Sequence, residues 1–521
     1  MDSEASSDCI VGLDPEKEKM PIGKSLYLSK TRFIKGLQCL KALYLDRHHP
    51  ELRGEIPEFT QALLAAGIQV GLVARQLFPG GVTIPYEGLS GEEQLFKTQE
   101  SIRQGAVTLY EAAFRTDDVF IKADILTRRE GGWAFYEVKA SSNMKEHYLN
   151  DVALQHYVIA GSGLSLQKAS LVHINTQYVR CGDIELEKLF SMEDLTERVQ
   201  EKRIFVSEQI VAMRGILSSN ETPDIDIGDH CNTPYDCEFK AYCWRHVPPD
   251  SVFDLRGRGV RAADLYRQGM VHLGDIPLGI LKGPQRMQVE AFLEKKEFIN
   301  QGEVKAFLNS LWYPRCFLDF ETFQNALPPF DGTRPYQQIP FQYSLHVLGK
   351  KGEEVRHFEF LAEPGRDPRK EFLETLLSNI PSGACVLAFN ASYEKMILEA
   401  LMEWYPEYRI EVEALAKNVI DLAEPFRKRF LYRWQMRGSS SLKDILPAMV
   451  PEMSYANLEI HDGAMASQGY HKMNQIKDPE ELEKVRTALR EYCRLDSLSL
   501  VKILEEMERI AAPKLKPDMI R

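Results

Sequence analysis

The chain has 521 residues, 44% hydrophobic and 27% charged. Those values exclude a disordered or fibrous protein, and the length exceeds what one hydrophobic core usually supports. Lys plus Arg number 64 against 76 Asp plus Glu, a formal net charge of −12, which excludes a basic coat over the whole surface and confines any polyanion contact to a local patch.

Residues 1–24 carry Asp2, Glu4, Asp8, Asp14, Glu16 and Glu18 and lack both the basic start and the apolar run of a secretory signal. They read as a disordered acidic tail, and the protein is expected in the cytoplasm. From residue 25 to about 250 helical and strand-like segments alternate, ending at Pro248-Pro249-Asp250, a boundary signal. The most apolar stretch, Ala62 to Phe78, is broken by Gln69, Arg75, Gln76 and two glycines, so no lipid-facing span and no membrane partner are expected.

Val119 to Leu126 and Trp133 to Lys139 read as two strands around Arg128-Arg129-Glu130-Gly131-Gly132, a tight hairpin connection. A two-residue turn at Glu130-Gly131 or at Gly131-Gly132 sets Asp124 opposite Glu137 or Lys139, and both registers place all three on one face. Two carboxylates there can hold a hard divalent cation while the ammonium stabilises phosphate charge. Asp151 to Tyr157 reads as a helix bringing Gln155 and Tyr157 towards the same region. By itself a Glu-Val-Lys triplet is an ordinary exposed strand; the constellation carries the inference.

Asp124, Glu137-Val138-Lys139 and Gln155 resemble, in order and approximate spacing, the RecB-like branch of the PD-(D/E)XK nuclease superfamily. The resemblance implies that Asp124 and Glu137 bind metal, Lys139 is catalytic and Gln155 assists positioning. Relatives with an iron–sulfur cluster commonly add a histidine from an early helix, where this chain has Gly67-Ile68-Gln69-Val70-Gly71.

In a reducing compartment thiols are kept for metals or catalysis. Of nine cysteines, Cys9, Cys181, Cys316, Cys385 and Cys493 are scattered and read as small buried hydrophobes or bystanders. Cys231, Cys237 and Cys243 are separated by five residues each, and Cys39 stands far upstream. Four thiolates suffice for a cubane cluster stapling the two ends of a domain. Structural zinc is the competitor, although zinc ribbons use close cysteine pairs, absent here. The three-plus-one arrangement resembles the CRISPR-associated RecB-like nucleases and the AddB helicase–nuclease subunit, which implies a 4Fe-4S cluster on Cys39, Cys231, Cys237 and Cys243.

Residues 251–312 show apolar positions at helical spacing, among them Met287, Phe292, Val304 and Leu311, and predict a helical connector. A second α/β pattern fills residues 313–521, with strands at Cys316 to Phe320, Gln342 to Leu348 and Cys385 to Phe389, and a last helix over Pro479 to Ile510. Asp319 and Glu321 share a strand face, Tyr492 and Asp496 share a helix face, and Glu394 lies at a strand-to-helix transition.

This order resembles the DnaQ-like exonucleases of the ribonuclease H fold. It implies Asp319, Glu321, Glu394 and Asp496 as ligands of Mg²⁺ or Mn²⁺, and Tyr492 as positioner of the attacking water. Glu394 departs from the family's aspartate by one methylene, and Asp421 is a substitute ligand. Lys443 is a candidate phosphate contact.

The expected fold class is α/β: a restriction-endonuclease-like, PD-(D/E)XK domain over 25–250, and a DnaQ-like domain over 313–521. The whole layout resembles a bacterial family of uncharacterised proteins over residues 25 to 521. The expected function is metal-dependent hydrolysis of nucleic acid, DNA before RNA, on single-stranded or exposed ends. A decayed iron–sulfur scaffold that binds nucleic acid and an RNA-directed nuclease are the alternatives.

Overall fold

The structure is a computed structural model that describes residues 28–55 and 57–512; the acidic tail and Cys9 lie outside the described residues. The chain builds a mixed α/β fold on two principal sheets. The first has seven strands: β1 (Leu28–Ser29), β2 (Val82–Thr83), β3 (Thr108–Thr116), β4 (Val119–Arg129), β5 (Gly132–Lys139), β6 (Leu166–Ile174) and β7 (Phe190–Asp194). Their order is β2-β3-β4-β5-β6-β7, with β1 also pairing in parallel with β4.

Alternation along β5 feeds two cores. Trp133 and Phe135 pack among Val152, Leu154 and Ile159 of the Glu146–Gly161 helix. Ala134 and Tyr136 turn to Val70 and Ala74 of the Glu58–Ala74 helix on the other face. Arg129 pairs with Gly132, so the hairpin turns at Glu130-Gly131, where Gly131 has φ 79°, a conformation glycine adopts freely. The β4–β5 ladder ends at Ile125 and Tyr136, and β1 takes up pairing again at Val119 and Phe120. A gap therefore opens beside β4 at Asp124.

The second sheet has β9 (Arg315–Phe323) at its centre, between β10 (Ile339–Leu348) and β12 (Cys385–Ala388), with β11 (Arg356–Leu361) and β13 (Val419–Asp421) at the edges. Phe317 and Phe323 join Leu489, Leu500 and Leu504 of the Pro479–Ala511 helix. Leu318 and Phe320 pack on Phe372 and Leu398 of the opposite layer. Both faces are covered, which isolates polar side chains of β9 from bulk water. The long helix starts cleanly because Asp478 accepts from Glu480 N and Glu481 N at 2.9 Å, satisfying orphan donors of its first turn.

Residues 251–312 hold the helices Ala262–Arg267, Gly283–Glu294 and Gln301–Asn309, and also the short strand β8 (Glu297–Ile299). β8 pairs with β14 (Leu431–Arg433), and Ala291, Val304 and Leu311 enter the core of the second sheet. The second half of the expected connector is thus built into the C-terminal body. Three residues are too short for strand periodicity to be read. The loop after β9 docks on the first sheet: Ala326 packs near Tyr136, and Arg180 Nη1 donates to Pro328 O at 3.0 Å and Pro329 O at 2.9 Å. Among the described residues no helix is long and apolar enough to cross a membrane.

Phe341, on β10, is fully buried, whereas Ile410 is 82% exposed. Phe341→Ala is expected to destabilise by about 3–5 kcal/mol, lowering the urea midpoint, while Ile410→Ala should stay within about 0.5 kcal/mol.

Candidate functional site

In the gap beside β4, the Asp124 carboxylate accepts from Val138 N at 2.8 Å, replacing a ladder partner. Glu137 is 1% exposed. Its Oε1 accepts from Lys139 Nζ at 2.7 Å and from Lys30 Nζ at 2.9 Å, and its Oε2 accepts from Gln155 Nε2 at 2.7 Å. Asp151, one helical turn before Gln155, accepts from Lys139 at 2.6 Å and from Gln155 at 2.9 Å. Gln155 Oε1 is buried with no hydrogen-bond partner. Asp124, Glu137, Lys139 and Gln155 are therefore gathered at one place.

The electrostatics divide this group. Burial and the neighbouring Glu137 push the Asp124 carboxyl up to about 7, against the opposing Lys30 and Lys139. Burial would also raise Glu137, but Lys139 and Lys30 outweigh it and hold that carboxyl below the usual range. Both ammonium groups are in turn kept charged, because Asp151 and Glu137 outweigh burial. One carboxylate is neutralised by protein cations and the other is not.

Lys30 and Asp151 were absent from the expected site. Asp151 was legible as the i, i+4 neighbour of Gln155. Lys30 was not, since it lies 107 residues from Glu137 and follows the two-residue strand β1. Tyr157 does not join the group; its hydroxyl donates to Asp117 at 2.8 Å. Two residues along a helix turn a side chain by about 200°, which sends Tyr157 away from Gln155. The Gly67-Ile68-Gln69-Val70-Gly71 segment buries Val70 in the core on the other face of the sheet.

Cys39, Cys231, Cys237 and Cys243 line one small cavity with Lys41 and Lys240. Gln38 Nε2 ties the early helix to this segment by donating to His230 O at 2.8 Å and Tyr235 O at 2.7 Å. Phe239 is buried beneath the cysteines with Tyr44 and Leu45. Burial and neighbouring thiols raise Cys39 and Cys243, and Cys237 to about 11. Among the described residues only Asp319, Glu321 and Asp496 bring three candidate ligand atoms within 4.8 Å of one another.

The second carboxylate group sits where β9 passes beneath the Pro479–Ala511 helix. Glu321 is 7% and Asp496 6% exposed, and among the described residues no lysine or arginine forms an ion pair with Asp319, Glu321 or Asp496. Burial, then Asp496 and Glu321, raise Asp319 well above the carboxylate range; burial and Asp496 do the same to Glu321. Burial lifts Asp496 to about 6 although the hydroxyls of Tyr455 and Tyr492 and the charge of Lys443 oppose it. Tyr455 donates to Asp496 Oδ1, and Cys493 Sγ lies 3.6 Å from Asp319 Oδ2. Cys493, expected to be a small buried hydrophobe or bystander, is fully buried with its sulfur against the group. Tyr455 carried no signal, being 41 residues from Asp496.

Glu394 is buried near this group but outside the three. Its Oε2 has no hydrogen-bond partner, and burial, with Asp421 adding, pushes it up to about 8. Asp421 is committed elsewhere: Oδ1 accepts from Asn390 N at 3.0 Å and Ala423 N at 2.9 Å, and Oδ2 accepts from Arg427. It closes a turn and is not drawn into the group. Lys443 Nζ stands 6.0 Å from the Tyr492 ring centroid, near enough for its charge to act on Glu321 and Asp496.

Comparison with known proteins places a match to "Domain of unknown function (DUF2779)" over residues 316–441. The matched segment contains Asp319, Glu321 and Glu394 and stops before Tyr492 and Asp496. The chain is 24% identical over 233 residues to "Uncharacterized protein MG366 homolog" of Mycoplasma pneumoniae, covering 41% of this chain and 35% of that protein. It is 23% identical over 212 residues to "Uncharacterized protein UU173" of Ureaplasma parvum, covering 36% and 30%. The similarity spans about a third of each relative's length.

Carboxyls raised on folding keep protons that the unfolded chain has already released, so stability falls as pH climbs from the unfolded value, about 4, through the raised values. With Asp496 at about 6 and Glu394 at about 8, the thermal midpoint in chelator should drop between about pH 5 and about pH 8. Mn²⁺ should restore more of it at the alkaline end. A flat profile with no Mn²⁺ effect would contradict this electrostatic picture.

Proposed function

We propose that this chain is a metal-dependent nuclease with two hydrolytic sites, acting on DNA before RNA. The observation that carries the reading is the group of Asp319, Glu321 and Asp496: three mutually repelling carboxylates, two buried and Asp319 half-buried, with no ion-pair partner among the described residues. Such a donor set suits Mg²⁺ or Mn²⁺, and the orphaned Glu394 oxygen beside it supports a fourth ligand. Bound divalent ions supply Lewis acidity and an activated water for attack on a phosphodiester.

The chain's own groups have separable tasks. Asp319, Glu321 and Asp496, with Glu394, would hold the ions. The Tyr492 phenol is kept protonated by burial and Asp496, so it acts as a neutral donor that orients a water. Lys443 stands where it can meet a substrate phosphate. The pairing of β9 acids with Tyr492 and Asp496 supports a DnaQ-like, ribonuclease H-type domain.

At the first site Asp124 and Glu137 would hold the cation, Gln155 fixes Glu137, and Lys139 stabilises negative charge building on the phosphate. The β4–β5 hairpin followed by the Gln155 helix supports a RecB-like, PD-(D/E)XK domain. The four cysteines lining one cavity, without the close cysteine pairs of zinc ribbons, support a 4Fe-4S cluster. A second reading, a scaffold that binds nucleic acid without cutting it, is favoured at the first site by Lys30 and Lys139, which already neutralise Glu137.

Full-length protein with Mg²⁺ or Mn²⁺ is expected to degrade single-stranded DNA faster than matched RNA. Asp319→Ala and Glu137→Ala should each remove at least about a hundredfold of the cleavage that depends on their site. Undiminished cleavage by the double variant, or binding without cleavage in every metal, would overturn the proposal. Anaerobically purified protein is expected to be brown, with about four iron and four sulfide per chain, both lost in Cys231→Ser. A colourless, zinc-only product would remove the cluster.

A further inference from the structure

A cavity of about 470 Å³ opens between the cysteine-bearing segment and the start of residues 251–312, outside both carboxylate groups. Clefts that take small ligands span about 300–1,000 Å³. Asn232, Trp244, Phe253, Arg258 and Arg261 are on its wall. The segment Gly257-Arg258-Gly259-Val260-Arg261 lines it, with Arg256 next in the same loop but off the lining; all six are exposed except the half-buried Val260.

This loop is held rigidly from behind. Gln285 and Gln288, on the Gly283–Glu294 helix, are 1% and 2% exposed. Gln285 Oε1 accepts from Val260 N at 2.9 Å, and its Nε2 donates to Val260 O at 2.9 Å and Gly257 O at 3.3 Å. Gln288 Oε1 accepts from Arg256 N at 2.9 Å while its Nε2 donates to Asp254 O at 2.8 Å. Gly259 has φ 145°, and a Cβ there would lie 2.2 Å from Gln285 Oε1. Two buried amides and a required glycine thus fix the shape of a surface loop.

The loop's charge is left available. Arg261 pairs with Asp229, which neutralises the one carboxylate on the cavity wall. Arg256 and Arg258 form no side-chain hydrogen bond or ion pair with any described residue. In a chain of net charge −12, the unpaired guanidinium of Arg258 on the cavity wall, with a second unpaired arginine, Arg256, two residues before it, makes a local anion-binding edge. Beside them Trp244 and Phe253, with ring centroids 4.5 Å apart, form an aromatic wall. Cation and aromatic surface side by side suit a phosphate with its attached base.

We propose that this cavity binds one nucleotide of a single-stranded nucleic acid, with its phosphate on Arg258, the base against Trp244 and Phe253, and Arg256 adding charge for the adjoining backbone. The volume admits a nucleotide and excludes a duplex segment. Contacts of this kind meet phosphates and ring faces, so DNA and RNA strands are held alike. The proposal rests on the reading that the chain acts on nucleic acid, and gives that activity a strand-holding site apart from the carboxylates.

The test is fluorescence anisotropy of labelled oligothymidylate and oligouridylate with the full chain in chelator, where metal-dependent cleavage is silent. Arg256→Ala/Arg258→Ala should weaken both about tenfold at low salt and reduce the salt slope by about two, with an unchanged thermal midpoint. Arg256→Lys/Arg258→Lys should recover most of the affinity. Absence of wild-type binding, or equal affinity and slope in the alanine variant, would overturn the pocket. Metal-dependent cleavage surviving that result would leave the nuclease reading standing; arginine-dependent binding without any cleavage would do the reverse.

Discussion

Like charge forced together away from water is the constraint on which the second half of the molecule depends. Burial disfavours an ionised carboxylate, and a second carboxylate within a few ångström disfavours it further. Yet β9 and the long C-terminal helix deliver Asp319, Glu321 and Asp496 to one point. Phe317 and Phe323 anchor β9 beneath the helix and Leu318 and Phe320 hold its other face, so the acids have no room to splay apart. The fold tolerates the repulsion by keeping protons on the group, with the Tyr455 and Tyr492 hydroxyls supporting Asp496. A divalent cation would remove the same strain, which is the basis of the proposed metal site.

The first group meets the problem differently. Glu137 and Asp151 are answered by Lys30 and Lys139, and only Asp124 is left with a raised carboxyl. Breaking one member of such a buried ion network leaves uncompensated charge, so the network also holds the β1 end of the chain to the sheet. The two groups therefore differ in how much of their charge the protein balances alone. Under the proposed function this difference makes the second site the more dependent on metal.

Much of this was legible in the residues, and the failures have physical causes. The residues left two turns open, at Glu130-Gly131 or Gly131-Gly132, and the structure takes the first; alternation along β9 put Asp319 and Glu321 on one face. Four-residue helical offset aligned Tyr492 with Asp496. Local periodicity says nothing about contacts across long stretches of chain, so Lys30 and Tyr455 went unseen. Tyr157 was misplaced because a two-residue offset shares a face on a strand but not on a helix. Asp421 was offered as a substitute ligand because Glu394 departs from the aspartate of the resembled family, whereas its oxygens close a turn and meet Arg427.

Calorimetric titration of Mn²⁺ into the metal-free full chain near neutral pH, repeated in buffers of different ionisation enthalpy, tests the central claim most directly. Carboxyls that hold protons against mutual repulsion must release them when a cation binds, so the account predicts binding coupled to proton release, with both lost in Asp319→Asn/Asp496→Asn. No binding, or binding without proton release that persists in that variant, would contradict it.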